Sequence, residues 1–161
     1  MKPEHAALLS NLLENRSVGS LGTLHEGRPL VSMVPFAVFR GDGAAGFVIH
    51  VSGLSAHTRD MQRDANVSLM IVENEDEAET PLALARVSLD CEAVEVPHDA
   101  PAGELLARVY LGKFPDAQPL LSFPDFRFFL LVPRSARFVA GFGQAMTLGE
   151  ATIVSVLRSG E

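Results

Sequence analysis

The chain has 161 residues, of which 47% are hydrophobic and 20% charged, a composition typical of a globular protein that buries a core without disulfide or metal staples. Cys91 is its only cysteine, which excludes an intramolecular disulfide. The first residues show no continuous apolar stretch that ends in a small-residue cleavage site, so we expect no secretory signal, and no run reaches the roughly 18 apolar residues that could span a membrane. The net charge of -7 argues against a nucleic-acid partner, because such partners are bound through clustered Lys and Arg. We expect one cytoplasmic domain over residues 1–161.

The first half of the chain combines helical and strand patterns. Leucines at positions 8, 9, 12 and 13 follow Pro3 and predict an amphipathic helix over residues 3–15. SVGSLGTL and LVSMVPFAVF predict a hairpin around the turn HEGRP, and FVIHV predicts a third strand after the turn RGDGAAG. Ser55 is predicted to cap a short helix, after which VSLMIVE returns to a strand pattern.

The second half predicts further strands and one more helix. NEDEAETP indicates a solvated acidic loop, and LALARVSLDCEAVEV indicates a long strand with one apolar and one polar face. The apolar spacing from Ala100 to about Leu121 is helical, with Gly112 and Pro115 ending the helix. FRFFLLVPRSARFVAGFGQA predicts two strands, because Pro133 should interrupt the ladder. The tail TLGEATIVSVLR is compatible with a last strand or a last helix. The order favours a mainly β protein of the α+β class, with antiparallel strands and peripheral helices.

Four segments in this order carry a family resemblance: SLGTLHEGRPLVSMVPFAV, HVSGLSAHTRDMQRDANVSLMI, PLALARVSL and FPDFRFFLLVPRSARFVAGFG. They resemble the pyridoxamine 5'-phosphate oxidase-like FMN-binding split-barrel proteins, and within them the branch related to haem-utilisation proteins. The resemblance covers nearly the whole chain. It implies a six-stranded antiparallel split barrel that forms a homodimer, with two FMN sites between the subunits.

The resemblance also implies which residues hold FMN. Backbone groups of the second strand would run beside the isoalloxazine ring at Met33, Val34, Pro35 and Phe36. The residues placed around the phosphate and ribityl chain are His50, Val51, Ser52, Ser55, His57, Thr58 and Arg59. Arg86 would approach the flavin from the partner subunit, and the turn of residues 141–143 would lie near the ring. A helix start with hydroxyl donors and an arginine is physically suited to a phosphate.

These residues also have ordinary structural interpretations. The segment from Ser55 to Arg59 is compatible with a capped surface helix. His50 is equally compatible with a hydrogen-bonded barrel histidine, and Arg86 with an ion pair to Asp90 or to another carboxylate along the polar face of its strand. The phenylalanines of the FRFF segment fit a core or a dimer interface, and Cys91 is typical of an inert core thiol. The histidines show no metal-ligand spacing, so no metal site is predicted.

Two departures from the family pattern limit what the resemblance implies. The helix start reads SAHTR rather than being rich in Arg and Lys, so pyridoxamine phosphate oxidase activity is not assigned. The haem-handling relatives use a histidine in a C-terminal extension, whereas the last histidine of this sequence is His98.

The resemblance favours an FMN-binding flavoprotein, an oxidoreductase of unknown substrate with no catalytic residue assigned, in which the flavin carries hydride or electrons. The alternative is a haem-binding or haem-utilisation protein that uses the same dimer cleft without flavin turnover. A third interpretation is a dimeric interaction module that has lost its cofactor.

Overall fold

A computed structural model describes residues 1–160 as an antiparallel β-sheet with flanking helices. The strands of this range are β1 (Val18–His25), β2 (Arg28–Pro35), β3 (Ala37–Arg40), β4 (Ala45–Ser52), β5 (Asn66–Val72), β6 (Arg86–Val96), β7 (Phe126–Val139) and β8 (Ala145–Gly149). The α-helices are α1 (Pro3–Asn15), α2 (Ala56–Arg63), α3 (Pro101–Lys113) and α4 (Glu150–Ser159). The predicted mainly β class with peripheral helices is confirmed.

The sheet closes into a barrel because one stretch of chain pairs with two different strands. The strand order is β2-β1-β5-β6-β7-β4-β3, and β8 pairs with β7 off this path. Only Phe36 separates β2 from β3, so the first part of this stretch pairs with β1 and the second part with β4. Counted as one bent strand, β2 and β3 complete a barrel of six strands. The six-stranded split barrel implied by the resemblance is thereby confirmed.

Strand alternation places one face of each strand in the core. On β6, the side chains of Val87, Leu89 and Cys91 are at most 4% exposed, while Ser88 and Asp90 between them face outward. Full burial of such an apolar side chain stabilises the fold by about 1.5–3 kcal/mol. The main cluster fills the barrel and includes the buried leucines of α1. A smaller cluster lies outside the barrel, between α3 and the strands β3, β4 and β7.

The helices and the C-terminal tail can be compared directly with their sequence predictions. α1 runs from Pro3 to Asn15, as its leucine spacing predicts. α3 ends at Lys113, between Gly112 and Pro115, which were predicted to end it, and a 3-10 segment over Pro115–Ser122 follows. The C-terminal tail was compatible with a last strand or a last helix, and it forms both, since the short strand β8 leads directly into α4. No helix within residues 1–160 is long and apolar enough to cross a membrane.

The prediction of two strands around Pro133 was wrong, because β7 is one continuous strand of 14 residues. Its ladder with β6 shifts register where Asp90 pairs with Ser135 and Cys91 pairs with Pro133, which leaves Arg134 as an extra residue. A β-bulge of this kind accommodates a proline, whose missing N–H would otherwise break the ladder.

Candidate functional site

The barrel is split along the outer edge of β2. Over residues 28–35 this strand pairs with β1 alone in the described chain, so its outward backbone groups have no strand partner there. β2 and β4 stay in contact across the split. The side chain of Met33 is 67% exposed, whereas Val34 and Phe36 are buried in the core. Val34 and Phe36 can therefore meet a ligand only through the backbone, which is the mode of contact implied by the resemblance.

The N-terminus of α2, which follows β4, is an open position for an anion. Ser55 is the N-cap residue with an extended backbone, but its side chain makes no capping hydrogen bond. The N–H groups of residues 56–58 have no backbone acceptor within residues 1–160, and helix starts in this state attract anions. Arg59 is exposed and donates through Nη1 to the Leu54 carbonyl at 3.0 Å, which leaves further guanidinium donors for a ligand.

Two of the hydroxyls that the resemblance places around the phosphate and ribityl chain are engaged inside the protein. Thr58 is fully buried, and its hydroxyl donates to the Ser52 carbonyl at 2.6 Å. The Ser52 hydroxyl donates to a carboxylate oxygen of Asp125 at 2.7 Å and accepts the N–H of Leu54 at 3.1 Å. The expectation that the Thr58 hydroxyl binds a phosphate is therefore corrected, because this hydroxyl holds the turn between β4 and α2.

His57 lies half-buried in the first turn of α2. Burial lowers the pKa of its imidazole, and the nearby carboxylate of Asp60 partly opposes that change. An imidazole kept neutral in this way is able to ligate a metal or to accept a hydrogen bond. The first turn of α2 therefore combines an anion position with a neutral imidazole.

Asp60 attaches α2 to the barrel. Its side chain is 1% exposed and accepts hydrogen bonds from the Thr23 hydroxyl at 3.0 Å and from Nδ1 of His25 at 2.9 Å. Burial alone would raise the pKa of this carboxyl, but the hydrogen bonds from His25 and Thr23 hold it below its ordinary value. These contacts fix the helix start against β1. Sequence reasoning missed them because they join segments far apart in the chain.

His50 does not belong to the open site at α2. Alternation along β4 directs Val51 into the barrel core and His50 to the other face. The ring centroid of His50 lies 4.3 Å from that of Phe128 and 5.3 Å from that of His98. Both ring nitrogens of His50 are buried and have no hydrogen-bond partner among residues 1–160. In its own chain His50 does not face the helix start, and no described residue hydrogen-bonds its ring, so the interpretation as a hydrogen-bonded barrel histidine is corrected. A contact of His50 with a cofactor stays a prediction.

Arg86 is not brought to α2 by the fold of its own chain, because β5 lies between β6 and β1. Its Nη1 donates to the Leu84 carbonyl at 2.9 Å. Asp90 instead accepts a hydrogen bond from the Ser135 hydroxyl at 2.6 Å, so the alternative of an Arg86–Asp90 pair is not what the structure shows. A contact of Arg86 with a cofactor held by the partner subunit stays a prediction.

The turn between β7 and β8 lies close to Arg86, which pairs with Val139 at the end of β7. Gly141 and Gly143 have φ angles of 150° and 74°, a region that favours glycine. The tight turn that they form presents Phe142 to solvent, where its side chain is 75% exposed. Arg86 and Phe142 thus form a second cluster at a different part of the sheet from α2.

An apolar face covers the outside of β1, β2 and β5. Met33, Ser20 and Met70 form one cross-strand row on this face. Val31 is 69% exposed, Met33 67% and Met70 40%. Large apolar side chains exposed together on neighbouring strands mark an interaction surface.

Comparison with known proteins places the chain in a family. The sequence profile described as "Pyridoxamine 5'-phosphate oxidase" matches residues 1–140. The chain belongs to this family. The haem oxygenase HutZ of Vibrio cholerae is 31% identical over 139 residues, which are 83% of this chain and 74% of HutZ. The chloroplast haem oxygenase HOZ of Arabidopsis thaliana is 34% identical over 151 residues, which are 88% of this chain and 44% of HOZ.

A solved structure of similar fold also has a haem-related name. A haem-binding protein from Mycobacterium smegmatis superposes with a TM-score of 0.82 at 26% identity, over 96% of this chain and 62% of that protein. The chain therefore spans less than half of HOZ and less than two thirds of the mycobacterial protein. Both the family and its haem-related branch, as predicted from the sequence, are confirmed.

Proposed function

We propose that this protein binds haem in the manner of the haem-utilisation branch, at the split of the barrel in a homodimer. One observation carries the proposal: the first turn of α2 joins an open helix start to a half-buried imidazole whose pKa is lowered by burial. Haem has carboxylates that suit a helix start and an iron that is ligated by neutral imidazole. The relatives named as haem oxygenases support the same interpretation.

The residues around the split fit a haem group. Ser55, Arg59 and the free N–H groups of residues 56–58 would hold a propionate, and His57 would offer the imidazole. When bound, haem supplies the chemistry of iron with oxygen and electrons. The protein contributes binding, orientation and an apolar surface that excludes water, to which the exposed Met33 of β2 belongs.

The other histidines of the chain are less suited to this position. His5 is bound through Nε2 to the side chain of Gln144, and His25 is engaged by Asp60. His50 and His98 lie together on the face of β4 turned away from the barrel core. His57 is therefore the histidine that we assign to the haem.

A homodimer would complete the site from two different clusters. One chain offers the split and the α2 start, and the other would offer Arg86 and Phe142. A two-fold axis makes such an arrangement self-complementary, so that both sites form together. The apolar face at Val31 and Met33 supplies a surface for the contact between subunits.

FMN is a second candidate, favoured by the free edge of β2. Its unpaired backbone groups match the polar edge of an isoalloxazine ring, and the helix start of α2 suits a phosphate as well as a propionate. With FMN the protein would be a flavoprotein oxidoreductase, whose reducing equivalents pass through the flavin.

Hemin titration of the purified protein and its His57→Ala variant tests the proposed site. We expect this substitution to shift the Soret maximum and to weaken hemin binding by about tenfold or more, since it removes an iron ligand. His5→Ala is the matched control and should titrate like the unchanged protein. The same Soret maximum and affinity in all three proteins would contradict the role of His57.

A further inference from the structure

A cavity of about 660 Å³ lies outside the barrel, beside the segment that precedes α3. Its lining includes the apolar side chains of Pro97, Phe123 and Phe126 and the imidazole of His98. This volume is within the range of small-ligand sites in proteins. The cavity is not part of the site proposed for haem.

His50 lies directly behind this lining. Its ring centroid is 5.0 Å from that of Phe126 and 5.3 Å from that of His98, and both of these residues border the cavity. The side chain of His50 is 6% exposed. A nearly buried imidazole is thus packed against a second imidazole that reaches the cavity.

The two rings hold three buried nitrogens that no residue of the described part of the chain hydrogen-bonds: Nδ1 and Nε2 of His50 and Nε2 of His98. Buried polar atoms are almost always partnered in native proteins, and each one left unpaired costs about 1–3 kcal/mol. The rings of Phe126 and Phe128 that pack on His50 offer no conventional donor or acceptor. No described residue engages these nitrogens, which leaves them available to a group from outside the chain.

The spacing of the two rings suits a shared metal ion. Two imidazoles that bind one ion at about 2.0 Å, in trigonal or tetrahedral geometry, have ring centroids about 5 Å apart, and the observed separation is 5.3 Å. Burial, followed by the proximity of His98, lowers the pKa of His50 to about 4. Its lone pair is therefore free at neutral pH.

The number of side chains that could bind the ion indicates which kind of metal site this would be. Among residues 1–160, no group of three or more His, Cys, Asp or Glu side chains is arranged to hold a metal ion. The chain would thus supply two ligands and leave the other coordination positions to a small molecule or water from the cavity. Open positions of this kind distinguish a reactive or ligand-binding ion from a structural one.

We infer that His50 and His98 form a two-histidine site for one late first-row transition ion of the copper or zinc type, with open positions toward the cavity. Imidazole is a ligand that both ions accept, and the cavity beside His98 gives a small molecule or water access to the open positions. Sequence reasoning predicted no metal site, because the two histidines are far apart in the chain and form no short motif.

Metal titration of the chelator-treated full chain tests this site, with Zn²⁺ followed by calorimetry and Cu⁺ by competition with a chromophoric chelator. We expect at least one of these ions to bind with one ion per chain and to shift the ¹⁵N signals of both rings. His98→Gln and His50→Phe should each weaken binding by about tenfold or more. His50→Phe keeps an aromatic ring among the aromatic side chains that surround residue 50. His98→Gln alters a residue that is only half-buried, so His98→Gln decides the matter if His50→Phe does not fold.

The control is His5→Ala, which removes an imidazole from α1 and should leave metal binding unchanged. Two outcomes overturn the inference. One is that neither ion binds more tightly than a Kd of about 100 µM, in which case a bridging water accounts for the buried nitrogens. The other is metal binding that survives both His98→Gln and His50→Phe.

Discussion

His50 and Asp60 are both buried ionisable residues, but their surroundings favour the neutral form of His50 and the charged form of Asp60. Asp60 is held as a carboxylate by hydrogen bonds from Thr23 and His25. His50 has no hydrogen-bond partner in the described chain, and burial lowers its pKa to about 4. A buried charge is tolerated only when it is paired, so His50 is neutral at pH 7.

Acid should destabilise the protein through His50. Its pKa is about 4 when folded and 6.5 ordinarily, so the unfolded chain binds more protons between these values and the free energy of unfolding falls as the pH is lowered through this window. The loss attributable to His50 reaches up to about 3 kcal/mol near pH 4. Urea unfolding between pH 7 and pH 4.5 should show a smaller loss for His50→Leu than for the unchanged protein. Parallel losses in both would contradict this account.

Arg59 should contribute directly to ligand affinity. Its guanidinium lies at the open start of α2, and loss of a charge-assisted hydrogen bond costs about 1.5–3 kcal/mol. Arg59→Ala is therefore expected to weaken hemin binding by that amount in a Soret titration. Arg63→Ala removes the same charge from the last turn of the helix and should change affinity by less than about 0.5 kcal/mol. An equal effect of both substitutions would show that Arg59 acts through its positive charge alone and not through a hydrogen bond to the ligand.

At the level of helices and strands, local sequence patterns predicted most of the fold. The features that these patterns did not predict depend on contacts between residues far apart in the chain. Leucine spacing located α1, and alternation on β6 identified its buried face. The bulge at Arg134 depends on register with β6, which the sequence around Pro133 does not reveal. The engagement of Thr58 by Ser52, and of Ser52 by Asp125, likewise depends on a turn whose shape is known only after folding. The pairing of His50 with His98 is a further contact of this kind.

The hairpin between β1 and β2 offers a local test of turn chemistry. Glu26 and Gly27 both have positive φ angles, of 51° and 76°, which suits a two-residue type I′ turn. A glutamate in this region is strained, whereas asparagine tolerates it. Glu26→Asn should therefore stabilise the protein by up to about 1 kcal/mol and raise Tm by about 2–4 °C in thermal unfolding. Glu26→Val should lower Tm, and a rise in Tm for both variants would contradict the strain argument.

At the scale of the whole molecule, the site that we propose needs two chains. The split with α2 and the cluster of Arg86 and Phe142 lie on different parts of one barrel. The apolar face that includes Met33 is the surface we assign to the contact between subunits. Loss of that contact should therefore also remove ligand binding.

Met33→Glu tests this dependence, because it puts a charge into the centre of the proposed interface. Sedimentation analysis should show monomers, and hemin binding should weaken in the same variant. Leu82→Glu is the matched control, since Leu82 is 63% exposed but lies in the loop between β5 and β6. A dimer that persists in Met33→Glu would show that the subunits meet elsewhere.

The most direct test of the central claim is a visible absorption spectrum after hemin and FMN are each added to the purified protein and the mixtures are desalted. The haem proposal predicts a Soret band that stays with the protein at one haem per chain. Flavin absorption that is retained instead, with hemin removed by desalting, would contradict it and make FMN the cofactor.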